Sequence, residues 1–304
     1  MAIVHQSDIS AWGRCPAAFG YKRAGWREPI LSATAFGSVV HHALLVFERA
    51  RAEGELHELA VRKAVETFIW YWNPLNIEAI CEPVEIWLPR QGFSELRSRG
   101  ITAIEKFAEL VRFDDAELLG TEFGFMVPID GTWDDELGEP HILAGSIDRL
   151  KAAMYRRYPV IGIDDYKTGK EYRYLRQNLQ FTAYCYASTK KEFWTGWRGE
   201  DGFGEERGTQ LYERFKGAAR RGTWINMRQL KFQDAGWRGP DDYKRFALSV
   251  QQITASMQAD IYPMTISGEV CTFCSFRDRC GGTGVPGDDH GKPGPAVPKT
   301  AAGQ

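Results

Sequence analysis

Apolar side chains recur every three or four positions over several stretches of this chain and every second position over others. These two periods divide it into helical and stranded parts. From Thr34 to Arg51, the residues Phe36, Val40, Ala43, Leu44 and Phe47 fall on one helical face. Helical spacing returns over His57 to Trp72 and over about Phe93 to Arg112, with a looser connection from Asn73 to Gln91. Upstream, Ser7 or Asp8 can cap a short helix running to about Lys22, and a further helix is expected over Asp241 to Asp260. The period changes near Leu118. Gly120-Thr-Glu122-Phe-Gly-Phe-Met-Val-Pro128 reads as a strand, followed by a polar turn and then His141, which leads into further strands. Runs rich in Ile, Leu and Val, Gly145 to Leu150 and Val160 onward, bracket the turn-prone Tyr155 to Pro159 and predict an antiparallel hairpin. A helix over Tyr174 to Lys190 is expected next. After a loop rich in Gly and charge come strands over Thr209 to Phe215 and Thr223 to Phe232, with the basic turn Lys216 to Arg221 between them.

Alternation along the second hairpin strand places Ile161, Ile163, Asp165 and Lys167 on one face and Val160, Gly162, Asp164 and Tyr166 on the other. An acid and a lysine therefore sit side by side. With Asp148 opposite that pair, two carboxylates and an ammonium converge, and hard oxygen donors of this kind suit Mg²⁺ or Mn²⁺. An ion held there would polarise a phosphodiester and acidify a bound water, which the lysine would orient or deprotonate. The plainer alternative is a solvated salt bridge, since Asp-x-Lys at a strand end is common.

The 304 residues are 43% hydrophobic and 13% aromatic, ample material for a core in one large domain or two. No run of about 18 apolar residues suggests a membrane span, and the start Met1-Ala-Ile-Val-His-Gln lacks a secretory pattern, so a cytoplasmic location is expected. A net charge of -2 excludes a protein that coats nucleic acid by bulk electrostatics, and any grip must be local. The local candidates are Arg149, Lys151, Arg156 and Arg157, then Lys170, Arg173 and Arg176, then Lys216, Arg220 and Arg221; singly each reads as a solvated surface charge, and their bunching around the candidate site is what points to phosphates. Of six cysteines, Cys271, Cys274 and Cys280 follow C-x2-C-x5-C and are one thiolate short of a tetrahedral set. Cys15 can supply the fourth, and on ligand chemistry alone zinc and an iron-sulfur cluster both remain open. Either would close a loop of roughly 255 residues and act as a structural staple. Cys81 and Cys185 read as ordinary thiols, and the Gly- and Pro-rich tail 281–304 is expected to be disordered.

Asp148 followed by Asp165-Tyr166-Lys167 resembles the signature of the PD-(D/E)XK nucleases, and Ile163-Asp-Asp-Tyr-Lys-Thr-Gly169 resembles their RecB-like branch. Gln180-Phe-Thr-Ala-Tyr184 is similar to that branch's Gln-x-x-x-Tyr helix, and Gly37-Ser-Val-Val-His41-His-Ala-Leu44 to its Gly-x-x-x-His-x-x-Leu motif. Ser10, Cys15-Pro16 and Phe19, taken with the three late cysteines, resemble the iron-sulfur members, including the CRISPR-adaptation-associated and phage-encoded ones. The resemblance implies an α/β fold with a restriction-endonuclease-like core, a central mixed sheet flanked by helices. It implies a single nuclease domain over 1–280, with a helical insertion at about 54–115, a core at about 116–235, an iron-sulfur staple joining the two ends, and the tail 281–304 outside it. It implies that His41, Asp148, Asp165 and the Tyr166 carbonyl bind Mg²⁺ or Mn²⁺, that Lys167 serves the water, and that Gln180 and Tyr184 position substrate. It further implies a [4Fe-4S] cluster on Cys15, Cys271, Cys274 and Cys280. Glu122 occupies the place of an acid found before the first catalytic strand, and it either supports the metal or closes the sheet's edge. The activity implied is a metal-dependent exonuclease on single-stranded DNA or duplex ends, working beside recombination or replication proteins. The alternatives are a structure-specific endonuclease and a non-catalytic nucleic-acid-binding partner of a recombinase or helicase. The intact acids and lysine argue against the last.

Overall fold

In a computed structural model, which describes residues 2–88, 92–133, 137–168, 178–196, 202–229, 231–265, 270–271 and 274–280, the alternating segments join one six-stranded mixed sheet. Strands β2 (Glu117–Pro128), β3 (Ile142–Tyr155), β4 (Tyr158–Lys167), β5 (Ala219–Asn226) and β6 (Lys231–Arg238) lie side by side, antiparallel except for the parallel pair β4–β5. The short β1 (Ile3–His5) runs parallel to the start of β3. The β3–β4 hairpin turns more tightly than its sequence suggests. Arg156 and Arg157 alone make the turn, both at positive φ (48° and 73°), as a two-residue primed turn requires. Pro159 is already strand, opposite Met154, where its missing N–H is tolerated because β5 begins to pair only at Val160.

A helical layer buries each face. On one side α3 (Ser32–Ala52), α4 (His57–Tyr71) and α5 (Phe93–Leu110) pack Phe47, Phe68, Trp72 and Phe107 against Tyr166 and Ile225 of the sheet. The helical stretch between the sequence motifs is thus the second layer of the core. On the other side lie α1 (Gln6–Arg14), α2 (Pro16–Arg23), α6 (Leu179–Ala187), α7 (Lys191–Thr195), α8 (Glu205–Phe215) and α9 (Pro240–Ala259), packed on Phe123, Phe125, Ile161 and Ile163. No described helix is long and apolar enough to cross a membrane.

Several elements differ from expectation for identifiable reasons. The helix expected from Ser7 to Lys22 is two helices, broken at Cys15 (φ -161°, ψ 110°). The ring of Pro16 disfavours helical backbone in the residue before it and itself opens α2. The expected strand Thr209 to Phe215 is the end of α8, whose Leu211 and Phe215 stand one turn apart and are buried. The helix packs so closely that a Cβ on Gly208 would lie 2.1 Å from the Trp194 carbonyl oxygen. The expected strand Thr223 to Phe232 spans a turn, because the Asn226 side chain accepts the N–H groups of Arg228 (3.0 Å) and Gln229 (2.9 Å) and folds the chain back. Helix α6 begins at Leu179, with Asn178 accepting the Gln180 N–H at 2.8 Å; the expected start at Tyr174 and the tail 281–304 lie outside the described residues.

Candidate active site

Strands β3 and β4 stay paired as far as Arg149 and Asp164, then part, and β1 takes up the freed edge of β3 at Ala144. Asp148 sits in the fork. Its carboxylate accepts the Tyr166 N–H at 2.5 Å, a bond the sheet ladder no longer supplies. The Tyr166 carbonyl in turn accepts from His41 Nε2 at 3.1 Å, so one peptide segment ties β3 to α3. His41 Nδ1 faces Glu122 at 3.4 Å and Asp148 at 3.6 Å. Close approach of α3 depends on Gly37, where a Cβ would meet Thr168 Oγ1 at 3.2 Å. Asp165 lies 2.6 Å from the Lys167 ammonium and accepts from Gln180 Nε2 at 3.1 Å, and Gln180 also donates to the Tyr184 hydroxyl at 2.8 Å.

Glu122 reaches the fork through a backbone distortion. Its φ of 45° lies in the left-handed region, which costs an L residue about 1–2 kcal/mol, yet it sits mid-strand between the regular pairs Thr121–Arg149 and Phe123–Ile147. The Ser146 hydroxyl donates to its carboxylate at 3.4 Å.

The charges are crowded and poorly hydrated. Burial raises the Asp148 carboxyl; His41 opposes this and Asp165 adds to it, and the group ends at about 7. Burial would lower His41, but Asp148 and Glu122 outweigh it and hold the imidazole at about 9. Burial also works against the Lys167 ammonium, and Asp165 and Asp148 overcome that, raising it. The ligand atoms of His41, Glu122 and Asp148 lie within 4.8 Å of one another. Oxygen and imidazole donors set this close, with protons holding apart their like charges, fit a hard divalent cation such as Mg²⁺ or Mn²⁺.

Seven residues named from sequence therefore meet here: His41, Asp148, Asp165, Tyr166, Lys167, Gln180 and Tyr184. Glu122, left undecided between two roles, stands inside the close group, while Asp165 stands beside it, held by Lys167 and Gln180. His42 turns away and packs edge-on against Tyr71 at 4.7 Å. Trp224, whose ring lies 5.9 Å from the Lys167 ammonium, escaped the sequence reading because its place depends on the β4–β5 register, which pairs it with Asp165.

The expected phosphate-binding clusters are corrected. Arg149 is buried, 2.9 Å from each of Glu48, Asp114 and Asp164, and Lys151 is 2.9 Å from Asp164. The Arg220 guanidinium donates to the Ser188 and Phe215 carbonyls at 3.1 Å, Arg221 pairs with Asp234 at 3.0 Å, and Lys216 pairs with Glu213 at 2.6 Å. Arg156 and Arg157 occupy the hairpin tip, roughly 25 Å from the fork at about 3.3 Å per residue. Lys170, Arg173 and Arg176 lie outside the described residues. A run of charges does not reveal which of its members the sheet will bury. Cys15, Cys271, Cys274 and Cys280 line one small cavity with Tyr21, Met264 and Phe276, but among the described residues no three thiols come within 4.8 Å of one another.

Among curated proteins none matches the chain. A solved structure described as the crystal structure of SSO0001 covers 92% of this chain and 85% of its own at 11% identity, with a TM-score of 0.35, too distant to carry an argument. The family model of the PD-(D/E)XK nuclease superfamily matches residues 5–281, a span that holds every residue of the fork and all four cysteines of the cavity. The chain belongs to the PD-(D/E)XK nuclease superfamily.

Proposed function

We propose that this nuclease is a divalent-metal-dependent deoxyribonuclease that digests single-stranded DNA or duplex ends as an exonuclease. The observation that carries the catalytic part is the meeting of His41, Glu122 and Asp148 beside the Asp165–Lys167 pair. Mg²⁺ or Mn²⁺ would be held by His41, Asp148 and Glu122, with Asp165 and the Tyr166 carbonyl at its margin, and supplies Lewis acidity and an acidified water. Lys167, held as an ammonium by Asp165 and indirectly by Gln180, orients that water. Tyr184 stays a neutral donor, its hydroxyl pushed well up by burial, and with Gln180 positions substrate. Substrate approaches over α3, through a cleft lined by Thr34, Ser38, His42 and Thr168.

Linear end-labelled single- and double-stranded DNA and a closed circle, each incubated with Mn²⁺, test the reading. Loss of the linear species with the circle intact is expected; cutting of the circle replaces the exonuclease with a structure-specific endonuclease. Asp165→Ala and Lys167→Ala should each slow cleavage by about 10²–10⁴-fold at a temperature where circular dichroism shows both variants folded. Binding without cleavage under every divalent ion would favour the non-catalytic partner of a recombinase or helicase.

The four cysteines belong to the same proposal. All four line one apolar cavity, where four thiolates would hold either zinc or a cluster, and the resemblance to the iron-sulfur members favours [4Fe-4S]. Protein purified without oxygen should be brown with broad visible absorbance, and colourless protein with stoichiometric zinc would refute the cluster.

A further inference from the structure

A cationic surface beside the fork lies on a helix the motifs do not include. On α5, Arg99, Thr102 and Lys106 are spaced three and four residues apart and form one exposed stripe. With Arg228 of the β5–β6 turn they line a groove that also includes Ala33 and Thr168. Ala33 and Thr168 also line the cleft that holds His41 and Lys167, so the two depressions adjoin. The turn that carries Arg228 is fixed to the site directly, because Met227 N–H donates to the Lys167 carbonyl at 2.8 Å. Arg99 is shared with Glu95 at 2.6 Å, whereas among the described residues Lys106 and Arg228 form no ion pair.

We propose that this groove is the track of a single-stranded nucleic acid on its way to the fork. Lys106, Arg228 and Arg99 meet successive phosphates, and the Thr102 and Thr168 hydroxyls donate to the same backbone. Phe36, Leu96 and Met227 also line the groove but are nearly closed to solvent, so the cationic and hydroxyl rim makes the contact, and the single-strand character is that of the proposed exonuclease. The track deepens the nuclease reading and rests on it.

Lys106→Ala, Arg228→Ala and their combination test the assignment in the full chain. Anisotropy of a labelled oligothymidylate in Ca²⁺ reads binding, and hydrolysis of the p-nitrophenyl ester of thymidine 5′-phosphate, too short to enter the groove, reads the fork. The expected result is an affinity loss of about tenfold for each variant and a fall in the salt slope of about 0.7 per lost contact, with ester hydrolysis and unfolding temperature unchanged. Lys244→Ala on α9, behind the sheet, should alter none of these. Unchanged oligothymidylate affinity in the double variant overturns the track even where wild-type cleavage is robust. Duplex bound as tightly as the single strand, with the same loss in the variants, overturns its single-strand character. Groove-dependent binding by a wild type that hydrolyses neither substrate sinks the catalytic reading and leaves the track standing.

Discussion

Asp148 receives the Tyr166 N–H and faces His41, so its charge is used twice while burial disfavours it. A carboxyl raised from 3.8 to about 7 in the folded protein binds more protons there than when unfolded, so its contribution to stability falls as pH rises from about 4 to 7. His41, raised from 6.5 to about 9, contributes fully below 6.5 and loses its contribution as pH rises through 9. Both slopes have the same sign. Protein stripped with EDTA should therefore lose thermal stability steadily from pH 4 to 9, with Asp148→Asn flattening the acidic limb and His41→Gln the alkaline one. Added Mn²⁺ replaces those protons. Calorimetry near pH 7 in buffers of different ionisation enthalpy should show at least one proton released per ion, and no release would contradict the arrangement. At this scale Asp148, Asp165 and Lys167 were legible, because strand alternation and one hairpin register decide where they point. Glu122 was legible only as a choice between two roles, because its approach depends on a positive φ that no sequence pattern announces.

The element that sets the fork is α3, and its hold on the sheet lies seven residues beyond His41, two turns along the same side, at Glu48. Glu48 meets Arg149 at 2.9 Å, and Arg149 meets Asp164 at 2.9 Å, all three nearly inaccessible to solvent. These are the neighbours of Asp148 and Asp165 in sequence, turned toward the helix. One buried network thus fixes the three segments that carry His41, Asp148 and Asp165. Removing the shared cation leaves the buried Glu48 carboxylate without its partner, so Arg149→Ala should lower unfolding stability in urea by about 3–5 kcal/mol. Lys216→Ala, which breaks an exposed pair, should leave the midpoint unchanged. Equal midpoints for the two variants would remove the anchoring role. Sequence periodicity showed α3, α4, α5 and α9 because each repeats its apolar stripe over at least four turns. It misread α8, where the seven residues from Thr209 fit either period and only the packing of Phe215 on Trp194, ring centroids 5.9 Å apart, selects the helix.

Across the whole molecule, the first two helices and the stretch from Tyr262 to Phe276 are held together before any metal is considered. The Ala17 N–H donates to the Pro263 carbonyl at 3.2 Å, Trp12 packs edge-on against Tyr262, and Tyr21 stacks on Phe276 with centroids 5.5 Å apart. The spacing of the cysteines made this meeting legible, whereas the parallel β4–β5 pair, reached through α6, α7 and α8, left no mark in the local pattern. Cys15 sits at the extended break that Pro16 imposes between α1 and α2, which turns its thiol into the cavity of the late cysteines. A group bound to all four thiols closes a loop of roughly 255 residues, and its binding energy becomes folding energy. Cys15→Ser should therefore bleach the visible absorbance and lower the unfolding temperature of anaerobic protein. Cys81→Ser, whose thiol donates to the Ile77 carbonyl at 3.4 Å, should do neither. The aromatic and backbone contacts between the ends remain in the Cys15 variant, so the fork should still assemble and hydrolyse the short thymidine ester at low temperature. Loss of that activity at a temperature where circular dichroism shows the variant folded would mean that a group bound to these thiols shapes the active site and does more than join Cys15 to the late cysteines.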